Sequence, residues 1–482
     1  MSGGTRLGLA LLGAALFQGV LGDLLFHGTG LGVNAPLWVA SFVACLVVLL
    51  RLAQAPLGQG RRWMIAPLVL FAGLVAWRDS PWLLGLDALA IAGAVAIGAL
   101  RSPAVRLPLA GMLDYAGGLA AAGLSALGGA FPLLAEDIRW RELGGNTRRA
   151  VAVGRGLVLA LPLVAIFGGL FVAADAVFQS LVRSALPTSL TPAEHVGIVV
   201  AWAWVSAGLL RDLVASRDPT WTPSALPRPS LGIVEIGTAL ALLDLLFLAF
   251  VVVQFRYLFG GSSLVESRTH LTYAAYARHG FFELVVVAEL VLPLLLLADW
   301  ALRRERPRDH AVFAVLAATL VLLLLAVVAS AFERLRLYQQ VYGLTELRVY
   351  ATGFVAWLAV VLLWLCVTVL RRRRRRFAVG AVVAGFAAVA AMNVLNPDAL
   401  IARTNVSRPH VDVGYLARLS DDATPTLLRA LPSLPRPEQR RLAAALLGRA
   451  PRHDWRSWNL DRSRAAAAVE RARPLLERLA TP

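Results

Sequence analysis

The stretch Ala311–Ala331, AVFAVLAATLVLLLLAVVASA, contains 21 residues and no charged side chain. A helix that crosses the hydrocarbon core of a bilayer needs about 20 consecutive apolar residues, so this stretch predicts a transmembrane helix. The whole chain is 58% hydrophobic and 16% charged, whereas soluble domains are about 45–50% apolar and about 25% charged. We therefore expect a polytopic membrane protein.

Eleven further segments resemble this stretch in length and polarity. The twelve candidate spans are Leu7–Phe26, Ala35–Leu50, Trp63–Trp77, Trp82–Leu100, Leu109–Leu133, Gly156–Val182, Val196–Leu213, Leu231–Phe255, Phe281–Leu302, Ala311–Ala331, Val349–Leu370 and Phe377–Val394. Leu109–Leu133 is rich in Gly and Ala and contains Asp114, so a span, a re-entrant or interfacial segment and a short hairpin all remain open there. The sequence predicts an all-α transmembrane bundle with 11 to 12 spans.

Arginine-rich loops orient the spans, because such loops are retained in the cytoplasm. Four of them alternate with less basic loops: the loop around Arg139, Arg211–Arg228, Arg303–Arg306 and Arg371–Arg376. This alternation places the C-terminal region on the outer side of the membrane. The N-terminal arginines conflict with it if Leu109–Leu133 crosses once, since Arg106 and Arg139 flank that segment.

The chain divides into three regions by composition. Residues 1–134 form the N-terminal spans, residues 135–396 form a transmembrane core, and residues 397–482 read as a small extramembrane tail. Apolar residues recur at helical spacing in the tail, as at Leu427, Leu428 and Leu431, which is typical of amphipathic helices. We expect a C-terminal all-α domain of four or five helices.

The charge and the reactive residues exclude several classes of protein. The formal net charge is +17, and every side chain counted as basic is arginine. The arginines cluster beside spans, so we expect membrane lipids and no nucleic acid as partners. Cys45 and Cys366 both lie inside apolar spans, and the seven histidines are scattered. We therefore expect no disulfide framework, no metal site, no cofactor and no catalytic residue.

Polar and aromatic residues flank three spans on the predicted outer side. Two arginines there, Arg256 and Arg278, depart from the usual cytoplasmic bias, and Gly280 permits a close approach next to them. An outer polar pocket that receives an anionic or polar ligand is one interpretation; ordinary interface anchors and a snorkelling interfacial helix are the other. The candidate pocket residues are Arg256, Tyr257, Tyr276, Arg278, Glu283, Arg334, Arg336 and Tyr338.

Two acids lie near the middle of candidate spans, Asp244 and Glu289. A charge in lipid costs several kcal/mol, on the order of 2.5–3.5 at a helix centre, and often marks a proton or ion path. Polar groups also join neighbouring helices by hydrogen bonds. Both interpretations of these two acids stay open.

Several motifs resemble a family of bacterial membrane proteins. They are RYLFGG from Arg256, YARHGF from Tyr276, the segment Arg334–Tyr342, NPDALIARTN from Asn396, LSDDA from Leu419 and WRSWNLDR from Trp455. The chain resembles domain of unknown function 4173, which is related to domain of unknown function 4153. The resemblance implies a multi-pass inner-membrane protein with a C-terminal helical tail, and no reaction. The tail residues that it points to are Asn396, Asp398, Arg403, Asn405, Trp455 and Asn459.

Three function classes remain after these observations. We expect first a non-enzymatic envelope or regulatory protein of the bacterial inner membrane, whose outer tail binds a protein partner. Trp455 and Trp458 are candidate anchors, because Trp and Arg dominate interface hot spots. A transporter of a small polar or anionic solute comes second. A membrane enzyme acting on a lipid-linked substrate comes third, since the first outer loop offers only Asp23 and His27.

Overall fold

A computed structural model of the chain describes most of the predicted spans and nearly all of the tail. The described residues are 2–57, 59–100, 112–143, 191–214, 231–259, 281–303, 306–371, 373, 375–449 and 454–481, with isolated positions between 156 and 180. These residues are overwhelmingly helical, and their β structure is limited to an isolated bridge between Leu231 and Leu302. The all-α prediction is confirmed. The predicted span Gly156–Val182 lies almost entirely outside the described residues.

Eleven principal helices form the bundle within the described part of the chain. They are α1 Gly3–Phe26, α2 Asn34–Leu52, α3 Gln59–Val75, α4 Pro81–Gly98, α5 Met112–Gly128, α6 Thr191–Val214, α7 Ile233–Phe259, α8 Phe281–Ala301, α9 Pro307–Tyr342, α10 Glu346–Thr368 and α11 Arg375–Leu395. Nine of these, all but α3 and α5, are long and apolar enough to cross a membrane. Helix α3 is shorter, with 17 residues and Pro67 inside it. The chain is a multi-pass membrane protein.

Helix α5 belongs to a bent segment that stays near the arginine-bearing end of the bundle. It meets the short helical stretch 130–137 at an angle of 52°. Gly118 lies against Ala96 near the end of α4, and Asp137 pairs with Arg211 in the last turn of α6. Because both ends of the segment contact the same end of the bundle, these contacts favour the re-entrant interpretation. Under that interpretation, the arginine loops on either side of the segment would no longer conflict.

Two large hydrophobic clusters and a smaller one around Phe71 form the core of the described part of the bundle. One large cluster joins α7, α8, α9 and α10 and includes Phe313 and Leu362, and the other joins α1, α2, α3 and α6 and includes Leu46 and Leu210. The rings of Phe71 on α3 and Phe386 on α11 lie 5.5 Å apart. Burying large apolar side chains contributes about 1.5–3 kcal/mol each, so this contact links the two halves of the bundle.

Helix α9 is longer than a bilayer core. Its 36 residues correspond to about 54 Å at 1.5 Å per residue, against about 30 Å of hydrocarbon. The last turns therefore project beyond the span. Gly343 ends the helix with a φ of +80°, a conformation that glycine adopts without the strain of a side chain.

The C-terminal tail consists of helices that pack around one apolar core, which also includes Val349 of α10. Its helices are α12 Pro397–Val406, α13 Val413–Leu416, α14 Thr424–Ala430, α15 Arg436–Leu447 and α16 Leu460–Ala480. Leu416, Leu427, Leu446 and Leu476 are fully buried in one apolar core. The tail contacts the loop between α9 and α10 and the loop between α3 and α4, which lie at the end opposite the arginine loops. We call this the tail-bearing end.

Candidate functional site

Two polar regions lie at the tail-bearing end, and the first is the contact between the tail and the α3–α4 loop, residues 76–80. We call it the tail junction. Arg78 of the loop pairs with Asp461 in the first turn of α16, and both side chains are about nine-tenths buried. The next residue on each side forms a second ion pair, between Asp79 and Arg462. Arg78 also donates from Nε to the carbonyl of Asn393 on α11, at 2.7 Å.

Backbone contacts align the two segments of the tail junction. The amides of Leu460 and Asp461 donate to the carbonyls of Ala76 and Trp77, at 2.9 and 3.2 Å. Asn459 is 1% exposed; its Nδ2 donates to the carbonyls of Val75 and Arg78, at 3.0 and 2.8 Å. Its Oδ1 accepts from the first amides of α16, as an N-cap residue does. Asn459 therefore both caps the N-terminus of α16 and binds this helix to the end of α3.

Two further carboxylates are buried beside the tail junction. Asp422 accepts hydrogen bonds from the amides of Asp79 and Ser80, at 3.0 and 3.3 Å. Burial raises the pKa of Asp422 to about 7, and the hydrogen bond from Asp79 opposes that rise. Burial also raises the pKa of Asp398, which accepts from the amide and hydroxyl of Ser420. Taking carboxylates out of water favours their protonated forms.

Some of the predicted tail residues hold the tail in place, and others are exposed on its surface. Asn396 caps α12 in a left-handed conformation, with Oδ1 accepting from Ala399 N at 3.1 Å. Asn405 exchanges two hydrogen bonds with the backbone of Leu344, at 2.9 and 2.7 Å. These contacts, with those of Asp398 and Asn459, hold the tail together and join it to the bundle. Arg403 and Trp455 are exposed.

The second polar region joins α1 to α6. Asp23 lies in the last turn of α1, His27 is the C-cap residue that follows the helix, and His195 lies in the first turns of α6. Oδ2 of Asp23 lies 2.7 Å from Nδ1 of His195, and Oδ1 lies 3.6 Å from Nδ1 of His27. The two imidazole rings stack with centroids 4.3 Å apart. We call these three residues the Asp–His triad; their donor atoms lie within 4.8 Å of one another.

Glycines on α1 bring the Asp–His triad together. A Cβ on Gly19 would lie 2.5 Å from the carbonyl of Val199, and one on Gly22 would lie 2.5 Å from the ring of Trp202. Both distances are shorter than van der Waals contact, so only glycine permits this approach of α6. Asp23 directly follows Gly22, where the helices are therefore close enough for its carboxylate to contact His195.

The predicted outer pocket is described only in part. The side chains of Arg256 and Tyr257, and residues Tyr276 and Arg278, lie outside the described residues. Among the other members, Glu283 is exposed and Arg334 is buried. Arg336 pairs with Glu333 at 3.6 Å, and the guanidinium of Arg348 lies 4.2 Å above the ring of Tyr338. The pocket stays a prediction.

The two candidate intramembrane acids lie on different helices. Asp244 of α7 is half-buried, and neither of its carboxylate oxygens has a hydrogen-bond partner among the described residues. Glu289 of α8 is exposed on the surface of the bundle. The two therefore differ in burial: the Asp244 carboxylate oxygens are buried without a hydrogen-bond partner in the described part, whereas Glu289 lies on the surface.

Sequence reasoning missed the members of both polar regions that come from distant segments. Arg78 and Asp461 are 383 positions apart, and Asp23 and His195 are 172 apart. A local signal existed for the Asp–His triad, because Asp23 and His27 have the i, i+4 spacing that places two side chains on one helical face. His195 carried no such signal.

Comparison with known proteins identifies a family without a described activity. The profile of the family described as Domain of unknown function (DUF4153) matches residues 65–430, which include most spans and the first part of the tail. No curated protein and no solved structure matches the chain. Because the match covers well over half of its length, the chain belongs to the family Domain of unknown function (DUF4153).

Proposed function

We propose that this protein is an envelope or regulatory protein of the bacterial inner membrane, which binds a protein partner through its docked outer tail. The observation that carries the proposal is the tail junction, where buried ion pairs and hydrogen bonds fix the tail to the bundle. A rigid surface loses less entropy on binding than a mobile one. The docked tail is thus a preorganised platform on the predicted outer face.

Two exposed tryptophans form the candidate contact surface of that platform. Trp455 is 64% exposed and Trp458 is 47% exposed, and large exposed aromatic side chains are the usual anchors of interfaces. Arg456 between them pairs with Asp454 at 2.6 Å and donates to the carbonyl of Leu24 at 2.8 Å. These contacts hold the segment against α1. The competing role for both tryptophans is to anchor the tail among lipid headgroups.

Photo-crosslinking in intact cells separates the two roles. A photoreactive phenylalanine at Trp455 or Trp458 should give an adduct with one defined protein, and the exposed position Arg440 serves as the control. The adduct should disappear when Arg78→Ala weakens the tail junction. Lipid adducts alone, or equal protein adducts at all three positions, would contradict the proposal.

Transport is a second candidate, supported by the bent segment. Non-helical or broken helices at membrane depth occur where they are buried in protein or line a cavity, and the stretch 112–137 is bent by 52°. Asp244 supplies a carboxylate whose oxygens lack partners among the described residues. Proteoliposomes that contain a pH-sensitive dye test for proton transport. Transport predicts proton uptake above that of empty vesicles, and this uptake should be lost in Asp244→Asn and retained in Glu289→Gln. Uptake equal to that of empty vesicles removes this candidate.

We also infer a closer relationship to domain of unknown function 4173. The support is the set of motifs in residues 256–281, 334–342, 396–423 and 455–462. An alignment of homologues tests this relationship: the tail motif should be shared with that family, and its absence there would limit the relationship to DUF4153.

A further inference from the structure

The Asp–His triad presents three ligand atoms of mixed type at one point of the tail-bearing end. The ligands come from the end of α1 and the start of α6. They comprise one carboxylate and two imidazoles whose donor atoms lie within 4.8 Å of one another. The group does not belong to the tail junction, whose acids are bound by Arg78, Arg462 and backbone amides.

Two of these ligand atoms are buried and have no hydrogen-bond partner among the described residues. The Asp23 side chain is only 9% exposed. Among the described residues, Oδ1 of Asp23 and Nδ1 of His27 are buried and have no hydrogen-bond partner. A buried polar atom without a partner costs roughly 1–3 kcal/mol, and more if it is charged. The site therefore contains binding capacity that the described protein atoms do not use.

We propose that Asp23, His27 and His195 bind a divalent transition-metal cation of the zinc class. Two imidazoles and one carboxylate suit zinc and its neighbours, whereas calcium and magnesium prefer oxygen ligands. Ligands about 2.0–2.1 Å from a tetrahedral zinc lie roughly 3.3 Å apart. The separations from Asp23 to the two histidines, 2.7 and 3.6 Å, bracket that value, and all three ligand atoms lie within 4.8 Å of one another.

A pair of protonated histidines explains the same geometry less well. Two imidazolium rings stacked 4.3 Å apart repel each other, since like charges at that range are unfavourable in a partly desolvated site. Neutral imidazoles stack without that repulsion, and the neutral form is the one that binds metal. An imidazolium on His195 alone binds one oxygen of Asp23 and leaves His27 Nδ1 without a hydrogen-bond partner among the described residues.

Three protein ligands leave room for a further ligand. Closed structural zinc sites use four protein ligands, while sites with three keep a position for water or substrate. The side chains of His27 and His195 are 27% and 46% exposed, so the site is accessible from the surface of the tail-bearing end. The site thus takes the ion from the predicted outer side.

Zinc titration of the full-length protein tests the proposal. The protein is purified in detergent with a tag free of histidine, treated with chelator and titrated with ZnCl₂ by calorimetry. We expect about one Zn²⁺ per chain, and binding weakened at least ~100-fold by His195→Gln or His27→Gln, because even second-shell changes cost about 10–100-fold. His410→Gln, at an exposed tail position, should leave binding unchanged.

Two measurements keep the test decisive. Circular dichroism and size-exclusion profiles show whether each variant folds, and Asp23→Asn replaces a histidine variant that does not. Co²⁺ supplies an independent signature, because its visible absorption reports nitrogen and oxygen ligation in the wild type and should be lost in the ligand variants. No zinc binding by the wild type, or binding that all three ligand substitutions leave intact, would overturn the proposal.

Discussion

The tail junction and the Asp–His triad are both buried polar regions at the same end of the molecule, and they differ in how their charges are satisfied. At the tail junction, Arg78 and Asp461 are each about nine-tenths buried and pair with one another. In the triad, Oδ1 of Asp23 and Nδ1 of His27 lie 3.6 Å apart, and neither has a hydrogen-bond partner among the described residues. Charges paired within the protein stabilise the docking of the tail, whereas buried ligand atoms without hydrogen-bond partners are available to an ion or to water.

The largest effect should follow from breaking the principal ion pair of the tail junction. Arg78→Ala removes the buried partner of Asp461 Oδ2, whereas Arg464 keeps its contact with Oδ1 at 3.2 Å. We therefore expect a cost at the lower end of the range for breaking a buried ion pair, about 3 kcal/mol. We expect the free energy of opening of α14 and α16 to fall by that amount. Hydrogen exchange of the tail amides, read by mass spectrometry, measures it. Arg403→Ala, at an exposed position, should leave exchange unchanged; equal exchange in both variants would contradict the role given to Arg78.

A smaller effect should separate the triad from the tail junction. Zinc at about 100 times its Kd should stabilise the contact of α1 with α6 by about 2.7 kcal/mol, because a ligand that binds only the folded state shifts the equilibrium. Exchange of amides at the end of α1 should slow in the wild type. His195→Gln should show no zinc effect. Slowing of the same size in that variant would show that zinc acts elsewhere.

The acidity of the tail junction predicts a pH dependence. The folded-state pKa of Asp422 is about 7, against an ordinary value of 3.8. Between these values the folded state holds the proton more tightly than the unfolded state, so stability falls as pH rises through this window. The full loss of folding stability from deprotonation of Asp422 is present above about pH 7, and no loss is present below about pH 4.

We therefore expect the opening free energy of the tail to fall by roughly 1–2 kcal/mol between about pH 5.5 and pH 7.5. Hydrogen exchange corrected for its intrinsic pH dependence measures the change. Asp422→Asn should flatten it, because the asparagine side chain does not titrate in this range. Tail stability that rises with pH in the wild type would contradict the assignment.

The smallest effect on stability should come from the exposed aromatic surface. Trp455 is 64% exposed, and surface substitutions usually change stability by no more than about 0.5 kcal/mol. Trp455→Ala should therefore leave the melting temperature of the purified protein nearly unchanged while weakening partner crosslinking at position 458. A large loss of stability would assign Trp455 to the packing of the tail instead.

The apolar helices could be predicted from the sequence, because local composition determines them. Stretches such as Ala311–Ala331 must be helical in a bilayer, because a helix satisfies every backbone polar group internally. The extension of α9 to Tyr342 and the bend near Gly129 depend on neighbours, and apolar content alone did not specify them. The bend was one of three alternatives, and contacts with α4 and α6 favour the re-entrant one.

The candidate sites were less predictable because they join distant segments. Asn459 was singled out only as part of a motif, and its role needs the carbonyls of Val75 and Arg78, more than 380 positions away. The sequence indicates Asp23 and His27 as polar residues of the first outer loop, but no pattern in a single sequence connects them with His195. Pairings of this kind are fixed by helix packing, here by the close approach at Gly19 and Gly22.

The side of the membrane on which the tail lies tests the account most directly, because the partner surface and the metal site both face that side. After Cys45 and Cys366 are replaced by alanine, single cysteines are placed at the exposed positions Arg440 in the tail and Arg371 before α11. A membrane-impermeant maleimide added to intact cells with a permeable outer barrier should label position 440, and position 371 only after lysis. Labelling of 371 in intact cells, with 440 protected until lysis, would contradict the account.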